Sequence, residues 1–468
     1  MSTRSARLGA MLRPPSSSLR AMPQFCECPV CGLVQRSTDL QPGQIMHCSR
    51  CETMLGRRRT NPPIATPLAF CLTSLVLYLL SITQPLMTIS IYGRSRTITL
   101  FTGPIELLRD GWGLAGGLIA LVTIVFPAIV IMLMLGILFG ALHHRLPLRV
   151  TSMMRWYDRL RPWSMIEVYM LGVLVAYTKL IDLADIQVGT AVYALGGLML
   201  TLGVTDSTLD TDVIWSRRKV RLAHRHPVQR PFGPEIDLEE VPPPPEHMVS
   251  CLSCGLVSVS QARLSCEDCV GGCPRCGARL YRRKPDSVRR TMALIFSAVV
   301  LYLPANAFPV MTIIKLGRGG DHTILQGVGE LYDSGMLPLA LLVFFASVTV
   351  PVLKVLGLCI MCFATWRGSA SRLVLRSKIF RIIDFVGRWS MIDVFMISIL
   401  VAVVHFNALA NVNADAGMMS FASVVILTIF AADCFDPRVM WDAAGLNGPA
   451  FGETRRPQGP ATAEPAQA

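Results

Sequence analysis

Charged residues are scarce in this chain. Only 16% of its 468 residues are Asp, Glu, Lys or Arg, while 52% are hydrophobic. Globular domains usually carry about 25% charged residues, so this composition excludes an ordinary soluble protein of this size. A helix that crosses a bilayer needs roughly 20 successive apolar residues, because lipid offers no hydrogen-bond partner to exposed backbone groups. Such runs are present here, and the sequence therefore predicts a polytopic membrane protein. Four stretches carry no charge: 60–93, 114–142, 186–205 and 291–314.

The signatures of several enzyme and pump classes are also missing. The chain has no GxxxxGK[S/T] phosphate loop, no glycine-rich dinucleotide turn and no Ser, His and Asp set that recurs within it. We therefore expect neither an enzyme nor an ATP-driven pump. Residues 1–23 are basic but lack the apolar run of a signal peptide, and we expect a disordered cytoplasmic tail there.

Five motifs occur twice, in the same order and 223 to 226 residues apart. An ordered series of this kind indicates a duplicated unit. In each half, two cysteine motifs precede four apolar segments. The paired motifs are CPVCGL and CLSCGL, CSRCETML and CPRCGARL, LYLLSITQPLMTI and LYLPANAFPVMTI, GPIELL and GVGELY, and RPWSMIEVYM and GRWSMIDVFM. The predicted spans lie near 67–91, 114–141, 164–182 and 187–206, and near 290–314, 335–364, 390–408 and 417–434.

Four spans per half is an even number, so both cysteine modules are expected on one side of the membrane, in parallel repeats. The predicted fold class is an all-α polytopic membrane protein. It has two parallel repeats of four transmembrane helices, each preceded by a small, β-rich cytoplasmic zinc ribbon. The expected units are ribbon 1 (24–59), repeat 1 (60–214), a basic and Pro-rich linker (215–247), ribbon 2 (248–284), repeat 2 (285–436) and a disordered tail (437–468).

Orientation follows from the basic residues in the loops. The segment between the second and third spans holds five arginines in the first half (143–163) and six Lys and Arg in the second (366–389). The loops at the other ends of the spans hold fewer, with none in 407–417. Cytoplasmic loops carry the excess of Lys and Arg, so the termini, both ribbons and the linker are predicted to be cytoplasmic. The net charge of +13 is thus explained without nucleic acid.

The first cysteine module contains two CxxC motifs separated by 16 residues. Two such motifs can present four thiolates to one metal ion, and four protein ligands leave no open position for catalysis. We therefore predict a structural zinc site, with iron in a similar four-cysteine site as the alternative. The predicted ligands are Cys28, Cys31, Cys48 and Cys51. Cys26 is interpreted as incidental.

The second module contains six cysteines in three CxxC pairs. Alignment with the first module selects Cys251, Cys254, Cys273 and Cys276 as ligands and places Cys266 and Cys269 on an insertion. The inner pair could compete for the ion or bind a second one with outside ligands. Zinc ribbons often contact nucleic acid, but these adjoin membrane spans and lack interleaved aromatic residues, which disfavours that function.

Five polar residues in or beside the spans are candidates for a polar path, because ionisable groups in a bilayer are costly. We expect Lys354 to face the bundle interior with an acidic or hydroxyl partner, and Asn306 to precede a proline break. Lys179 and Asp182 are spaced for an ion pair on one helix face, and His405 is the repeat counterpart of Lys179. Snorkelling at the interface is the alternative for these last positions. Prolines 85, 309, 127 and 351 are predicted to break or kink the first and second spans of each half.

The tandem CxxC modules, each before four spans, together with LPANAFPVMT, RWSMIDVF and LVAYTKLIDLADIQVG, resemble the paraquat-inducible protein A family over about residues 24–436. The resemblance implies a bacterial inner-membrane protein with zinc ribbons and an MCE-domain partner that forms a periplasmic tunnel. It also implies movement of phospholipid between the two membranes. The first half departs from the pattern: it has LYLLSITQPLMT, and Val130 stands at the position of Lys354. We therefore expect the working cavity in the second half.

Two functions of different classes follow. In the first, the chain is a lipid-handling transport subunit whose polar path includes the five residues named above. In the second, it is a membrane-anchored metal-thiolate sensor of redox state or stress, with the ribbon cysteines as the reactive groups.

Overall fold

The protein is described here from a computed structural model. The described residues are 20–37, 40–60, 64–91, 94–142, 147–180, 185–216, 247–259, 269–315, 318–333, 335, 337–404 and 410–446.

Helices dominate the described residues, and short strands lie before and between them. The strands are β1 Arg20–Ala21, β2 Phe25–Glu27, β3 Val34–Arg36, β4 Ile45–His47, β5 Met54–Arg57, β6 Met87–Ile91, β7 Arg94–Ile98, β8 Asp185–Val188, β9 Met248–Ser250, β10 Val257–Val259, β11 Cys269–Gly272, β12 Arg279–Tyr281, β13 Met311–Lys315, β14 Arg318–His322 and β15 Ala410–Ala414. The helices of the first half are α1 Ala65–Thr83, α2 Thr102–Arg109, α3 Gly113–Ala120, α4 Phe126–Ala141, α5 Leu148–Leu160, α6 Ile166–Leu180, α7 Thr190–Thr208 and α8 Thr211–Ser216. Those of the second half are α9 Ser287–Ala307, α10 Ile324–Asp333, α11 Leu337–Phe344, α12 Val350–Trp366, α13 Leu373–Val386, α14 Ile392–Val404, α15 Ala416–Cys434 and α16 Arg438–Ala443.

Six helices among the described residues are long and apolar enough to cross a membrane. In the first half, α6 and α7 match the third and fourth predicted spans but are not among the six. Four spans in each repeat and the side on which the ribbons lie therefore stay predictions. The six helices are Ala65–Thr83, Gly113–Ala141, Ser287–Ala307, Ala340–Trp366, Leu373–Ala402 and Gly417–Cys434.

The same helix packing occurs in both halves. The first and fourth long helices of each half lie side by side, α1 with α7 and α9 with α15, and α6 packs on α14 across the two halves. Gly172 permits the close approach of α6 and α14, because a Cβ there would lie 2.9 Å from the Cβ of Phe395. Tyr169 and Phe395 meet edge to face nearby, with ring centroids 5.6 Å apart.

Pro85 and Pro309 break the first spans, as predicted, but they end the helices and do not kink them. Helix α1 ends at Thr83 and α9 at Ala307, and a strand begins two residues after each proline. The residue before proline is driven into extended geometry, which ends the helix; the φ and ψ angles are −91° and 157° at Gln84, and −89° and 148° at Phe308. The segments predicted as the ends of these spans instead form three-stranded antiparallel sheets, β7-β6-β8 and β14-β13-β15, at the end of each first helix opposite its ribbon.

Pro127 and Pro351 lie within continuous helical segments, just after a π-helical turn at Leu121–Val125 and at Phe345–Thr349. Such turns leave carbonyl groups without their usual helical partner. The hydroxyl of Tyr78 donates to the Ile124 carbonyl at 2.8 Å in the first half. The two predicted irregularities in the second spans are therefore π-helical turns.

The two ribbons are joined to each other and to opposite repeats. Strand β1, which precedes ribbon 1, pairs with β10 of ribbon 2, and the Met22 amide donates to the Val257 carbonyl at 2.8 Å. The cysteines of ribbon 1 share an apolar cluster with residues of α12, α13 and α16 from the second half, Trp441 among them. Those of ribbon 2 share a cluster that includes Trp215 of α8 in the first half.

Two predicted disordered segments need correction at their edges. Residues 20–23 are part of the structure, because β1 completes the sheet of ribbon 2. Residues 437–446 are also described and include α16, whose Arg438 and Trp441 side chains are buried. The remainder of both predicted tails, 1–19 and 447–468, lies outside the described residues.

Candidate metal centres and the buried lysine

Each ribbon presents its cysteines on two tight turns of the same form. In the first turn the Cys28 amide donates to the Leu33 carbonyl at 2.9 Å, and the Gly32 amide donates back to the Cys28 carbonyl at 2.9 Å. These turns require left-handed backbone geometry at the residue after the second cysteine. Glycine meets this need at Gly32, Gly255 and Gly277, with φ between 69° and 74°, whereas Glu52 adopts a φ of 59° in the remaining turn.

The structure brings the eight predicted cysteines together as two buried groups of four. Within each group the sulfur atoms all lie within 4.8 Å of one another. In ribbon 1 the Cys28–Cys51 and Cys31–Cys48 sulfurs are 3.5 Å apart. In ribbon 2 the Cys251–Cys276 and Cys254–Cys273 distances are 3.5 and 3.6 Å.

These donor sets fit a tetrahedral metal ion. Zinc with sulfur ligands at about 2.3 Å places the sulfurs about 3.8 Å apart, close to the observed separations. Both groups can therefore hold a metal ion. The choice between zinc and iron stays a prediction, because both accept four thiolates.

Of the spare cysteines, Cys26 lies outside both groups. Cys26 is half-buried, and its sulfur lies 3.5 Å from the Gln35 carbonyl oxygen of the paired strand. Cys269 belongs to β11, opposite Tyr281. Cys266 lies outside the described residues.

A cluster of buried charges joins ribbon 1 to the second repeat, and it was not predicted. Arg283, near the end of ribbon 2, contacts Asp442 at 2.5 Å and Glu27 of ribbon 1 at 3.0 Å. Arg438 contacts the same Glu27 at 3.2 Å and Asp436 at 2.9 Å. These five side chains are 1–6% exposed. A signal for this region exists in the sequence: LDTDVIW (209–215) and FDPRVMW (435–441) match at the repeat offset, just after the fourth predicted span of each half.

The titration of Asp436 gives a test of this cluster. Burial alone would raise the pKa of Asp436, but the charge and hydrogen bonds of Arg438, with Arg283, lower it to about 2. A lowered pKa in the folded state contributes stability that is present above the unfolded value of 3.8 and lost as the pH falls through 2. The shift corresponds to about 2 kcal/mol.

We therefore expect the stability difference between the unmodified protein and Asp436→Asn to be constant from pH 7 to pH 5. It should shrink only below about pH 4. Thermal unfolding of the two purified proteins in detergent at several pH values measures this. A difference that already disappears at pH 6 would contradict the assigned pairing.

Lys354 is buried in the second repeat, as predicted, at 1% exposure. Its Nζ donates to the Gly387 carbonyl at 2.5 Å and to the Thr428 hydroxyl at 3.5 Å. The expected hydroxyl partner is thus present. Among the side chains that the structure describes, no carboxylate oxygen lies within 4.0 Å of this Nζ.

The corresponding place in the first repeat is built differently. Arg161 occupies the position that matches Gly387, and it forms an ion pair of 2.7 Å with Asp206 of α7. The Tyr157 hydroxyl also donates to Asp206. Glycine at 387 leaves room for the lysine, because a Cβ there would lie 2.8 Å from the Lys354 Cε and would displace the end of that side chain. The first repeat therefore neutralises its cation with a directly paired carboxylate. In the second, the direct partners of Lys354 are a carbonyl and a hydroxyl, and Asp384 of α13 acts on its charge from a greater distance.

The other four predicted polar residues are not brought to Lys354 by any described contact. The Asn306 side-chain amide donates to the Tyr302 carbonyl of its own helix at 2.9 Å. Lys179 belongs to α6. Asp182 and His405 lie outside the described residues, so the predicted Lys179–Asp182 pair and the role of His405 stay predictions.

Comparison with known proteins identifies the family. The model of the family described as "Paraquat-inducible protein A" matches this chain twice, over residues 64–219 and 288–445. The chain belongs to the paraquat-inducible protein A family. The two matches each begin after a ribbon, in agreement with the internal repeat.

Curated members of this family cover nearly the same length. The chain is 31% identical over 424 residues to the intermembrane transport protein PqiA of Escherichia coli K12, covering 89% of this chain and 95% of the relative. It is 27% identical to the lipophilic envelope-spanning tunnel protein A of the same strain, covering 90% and 91%. A probable intermembrane transport protein of Haemophilus influenzae is 22% identical, covering 89% and 94%. No solved structure matches the chain.

Proposed function

We propose that this chain is the inner-membrane subunit of an MCE-type intermembrane lipid transport system, which loads or receives phospholipid at the base of a periplasmic tunnel. Membership of the paraquat-inducible protein A family supports a transport role. The names of two relatives, an intermembrane transport protein and a lipophilic envelope-spanning tunnel protein, support lipid as the cargo and a tunnel-forming partner. Such a protein is not an enzyme.

In the proposed orientation, the termini and both ribbons are cytoplasmic. The basic loops on the ribbon side support this placement. The two three-stranded sheets would then lie at the periplasmic face, where an MCE-domain partner binds. Zinc would have a structural role in each ribbon, since four cysteines complete its coordination.

The observation that carries the proposal is the environment of Lys354. A buried cation without a directly paired carboxylate is costly in an apolar bundle, and such residues mark substrate sites in membrane proteins. The phosphate of a phospholipid headgroup would supply a negative charge in direct contact with the lysine, in addition to the more distant charge of Asp384. We therefore place the substrate path in the second repeat around Lys354, with Asn306 on the neighbouring α9. Lys179, Asp182 and His405 are proposed as further members of the path.

Replacement of Lys354 by methionine tests this directly. Loss of a charge-assisted contact of about 1.5–3 kcal/mol weakens binding by about tenfold or more. We expect a diazirine-bearing phospholipid in bilayer nanodiscs to label the second repeat of Lys354→Met correspondingly less, as measured by peptide mass spectrometry. Lys354→Arg, which keeps the charge, should retain more labelling.

The matched control is Val130→Met, at the corresponding buried position of the first repeat. It should leave labelling unchanged. Undiminished labelling of Lys354→Met would contradict the proposed headgroup site. The sensor function predicts a different result: Lys354→Ala would leave the envelope barrier intact in cells, while Cys266→Ser with Cys269→Ser would abolish it. Burial of all eight ribbon cysteines does not favour that function.

A further inference from the structure

Helix α13 of the second repeat is held by the ribbon of the other half. Lys378 of α13 forms an ion pair of 2.9 Å with Glu52 of ribbon 1, the residue that follows the predicted ligand Cys51. The neighbouring Ser377 hydroxyl accepts a hydrogen bond of 3.2 Å from the Trp441 indole. The Trp441 ring in turn lies 5.3 Å from the guanidinium of Arg50, which stands between the ligands Cys48 and Cys51.

The far end of the same helix meets the buried lysine. Gly387 caps α13, with its amide donating to the Ile383 carbonyl, and its own carbonyl accepts the Lys354 ammonium. The ribbon contacts at 377 and 378 and the lysine contact at 387 are about ten residues apart, or about 15 Å along a helix. A helix moves as a unit over this distance, so a shift at the ribbon displaces the carbonyl that Lys354 contacts.

The backbone of ribbon 1 also suggests that the contact with α13 matters. Glu52 has left-handed geometry, which costs a non-glycine residue roughly 1–2 kcal/mol. The equivalent residue of ribbon 2 is Gly277, which has no side chain to reach a helix. From this turn the Glu52 side chain reaches Lys378, in a pair whose side chains are 73% and 47% exposed.

Among the described residues of the first repeat, no such connection is present. Its α5 is tied to its own α7 through Tyr157, Arg161 and Asp206. Position 130, which matches Lys354, is a valine. The connection between a ribbon and a buried cation is therefore specific to ribbon 1 and the second repeat.

We propose that ribbon 1 positions the lysine site of the second repeat through α13, with Glu52, Ser377, Lys378 and Trp441 as positioning residues. What binds at Lys354 rests on the proposed function, but the positioning does not. In this arrangement the metal-bearing turn of one half sets the geometry of the polar site in the other half.

The accessibility of Lys354 to a small acylating reagent measures its position without any lipid probe. The full chain in nanodiscs is treated with acetic anhydride, and acetylation of Lys354 is followed by mass spectrometry. We expect Ser377→Ala and Trp441→Phe each to raise the rate at least threefold. The double variant should show no more than either single one, because both changes remove the same hydrogen bond.

Rescue separates positioning from a general loss of packing. Lys378→Glu should raise acetylation of Lys354, and addition of Glu52→Lys should restore the unmodified rate. Cys51→Ser should also raise the rate of Lys354 acetylation. The matched control is Trp215→Phe, at the corresponding position beside ribbon 2, which should leave the rate unchanged. Maleimide labelling of the buried Cys71 in the first repeat checks that the variants remain folded.

An unchanged rate in both Ser377→Ala and Trp441→Phe overturns the inference, as does an equal increase in Trp215→Phe. These results are independent of lipid labelling. If acetylation responds as expected but Lys354→Met still binds phospholipid fully, the proposed function fails and the positioning stands.

Discussion

A chain with Cys51 changed to serine is expected to hold one equivalent of zinc after purification, where the unmodified chain holds two. The two four-cysteine groups are separate, so loss of one ligand should empty one site only. The fold of ribbon 1 should be lost with its metal, because binding contributes about 10–16 kcal/mol to folding in such small modules. Elemental analysis by mass spectrometry gives both the stoichiometry and the identity of the metal.

The matched control for this change is Cys26→Ser. The Cys26 sulfur of the unmodified protein contacts the Gln35 carbonyl and lies outside the group of four. The Cys26→Ser protein should retain two equivalents of zinc. A fall to one equivalent in Cys26→Ser, or retention of two in Cys51→Ser, would contradict the ligand assignment. Iron in place of zinc would leave the ligands unchanged and would show as a coloured protein.

The second large effect is expected for Arg438→Met. Arg438 is 1% exposed and neutralises Glu27 and Asp436 at once. Methionine fills similar volume but leaves two buried carboxylates with too little positive charge. Breaking a buried ion pair in this way costs about 3–5 kcal/mol. We expect a fall in the apparent unfolding temperature on the order of 10 °C, followed by tryptophan fluorescence in detergent.

Arg289→Met is the control for loss of an arginine in the same region. Its side chain is 89% exposed and pairs with Asp286 at 3.7 Å. Exposed pairs contribute about 0–1 kcal/mol, so its unfolding temperature should barely change. Equal effects of the two substitutions would mean that the buried cluster does not hold ribbon 1 to the second repeat.

Much of the site could be predicted because its signals are short-range. Two CxxC motifs supply four ligands on two tight turns, so spacing defined the group in ribbon 1, and alignment with ribbon 1 selected four of the six cysteines in ribbon 2. The burial of Lys354 followed from its place in an apolar run. The motifs LYLLSITQPLMTI and LYLPANAFPVMTI, however, were each predicted to lie within one span. Apolar residues that form strands β6 and β13 have the same composition as residues that extend a helix.

By itself, the sequence determined the duplication, the apolar helices, the composition of both metal groups and the family. Each of these is a pattern along the chain, and periodicity and spacing express it directly. Only the tertiary structure decided that β1 completes the other ribbon, that ribbon 1 packs on the second repeat, and that Gly387 receives Lys354. These contacts join segments far apart in sequence. They depend on which of two similar halves each ribbon meets. Charged side chains make contacts that distinguish the halves, and no local pattern reveals their partners. These side chains are Glu27, Glu52, Arg283 and Arg438.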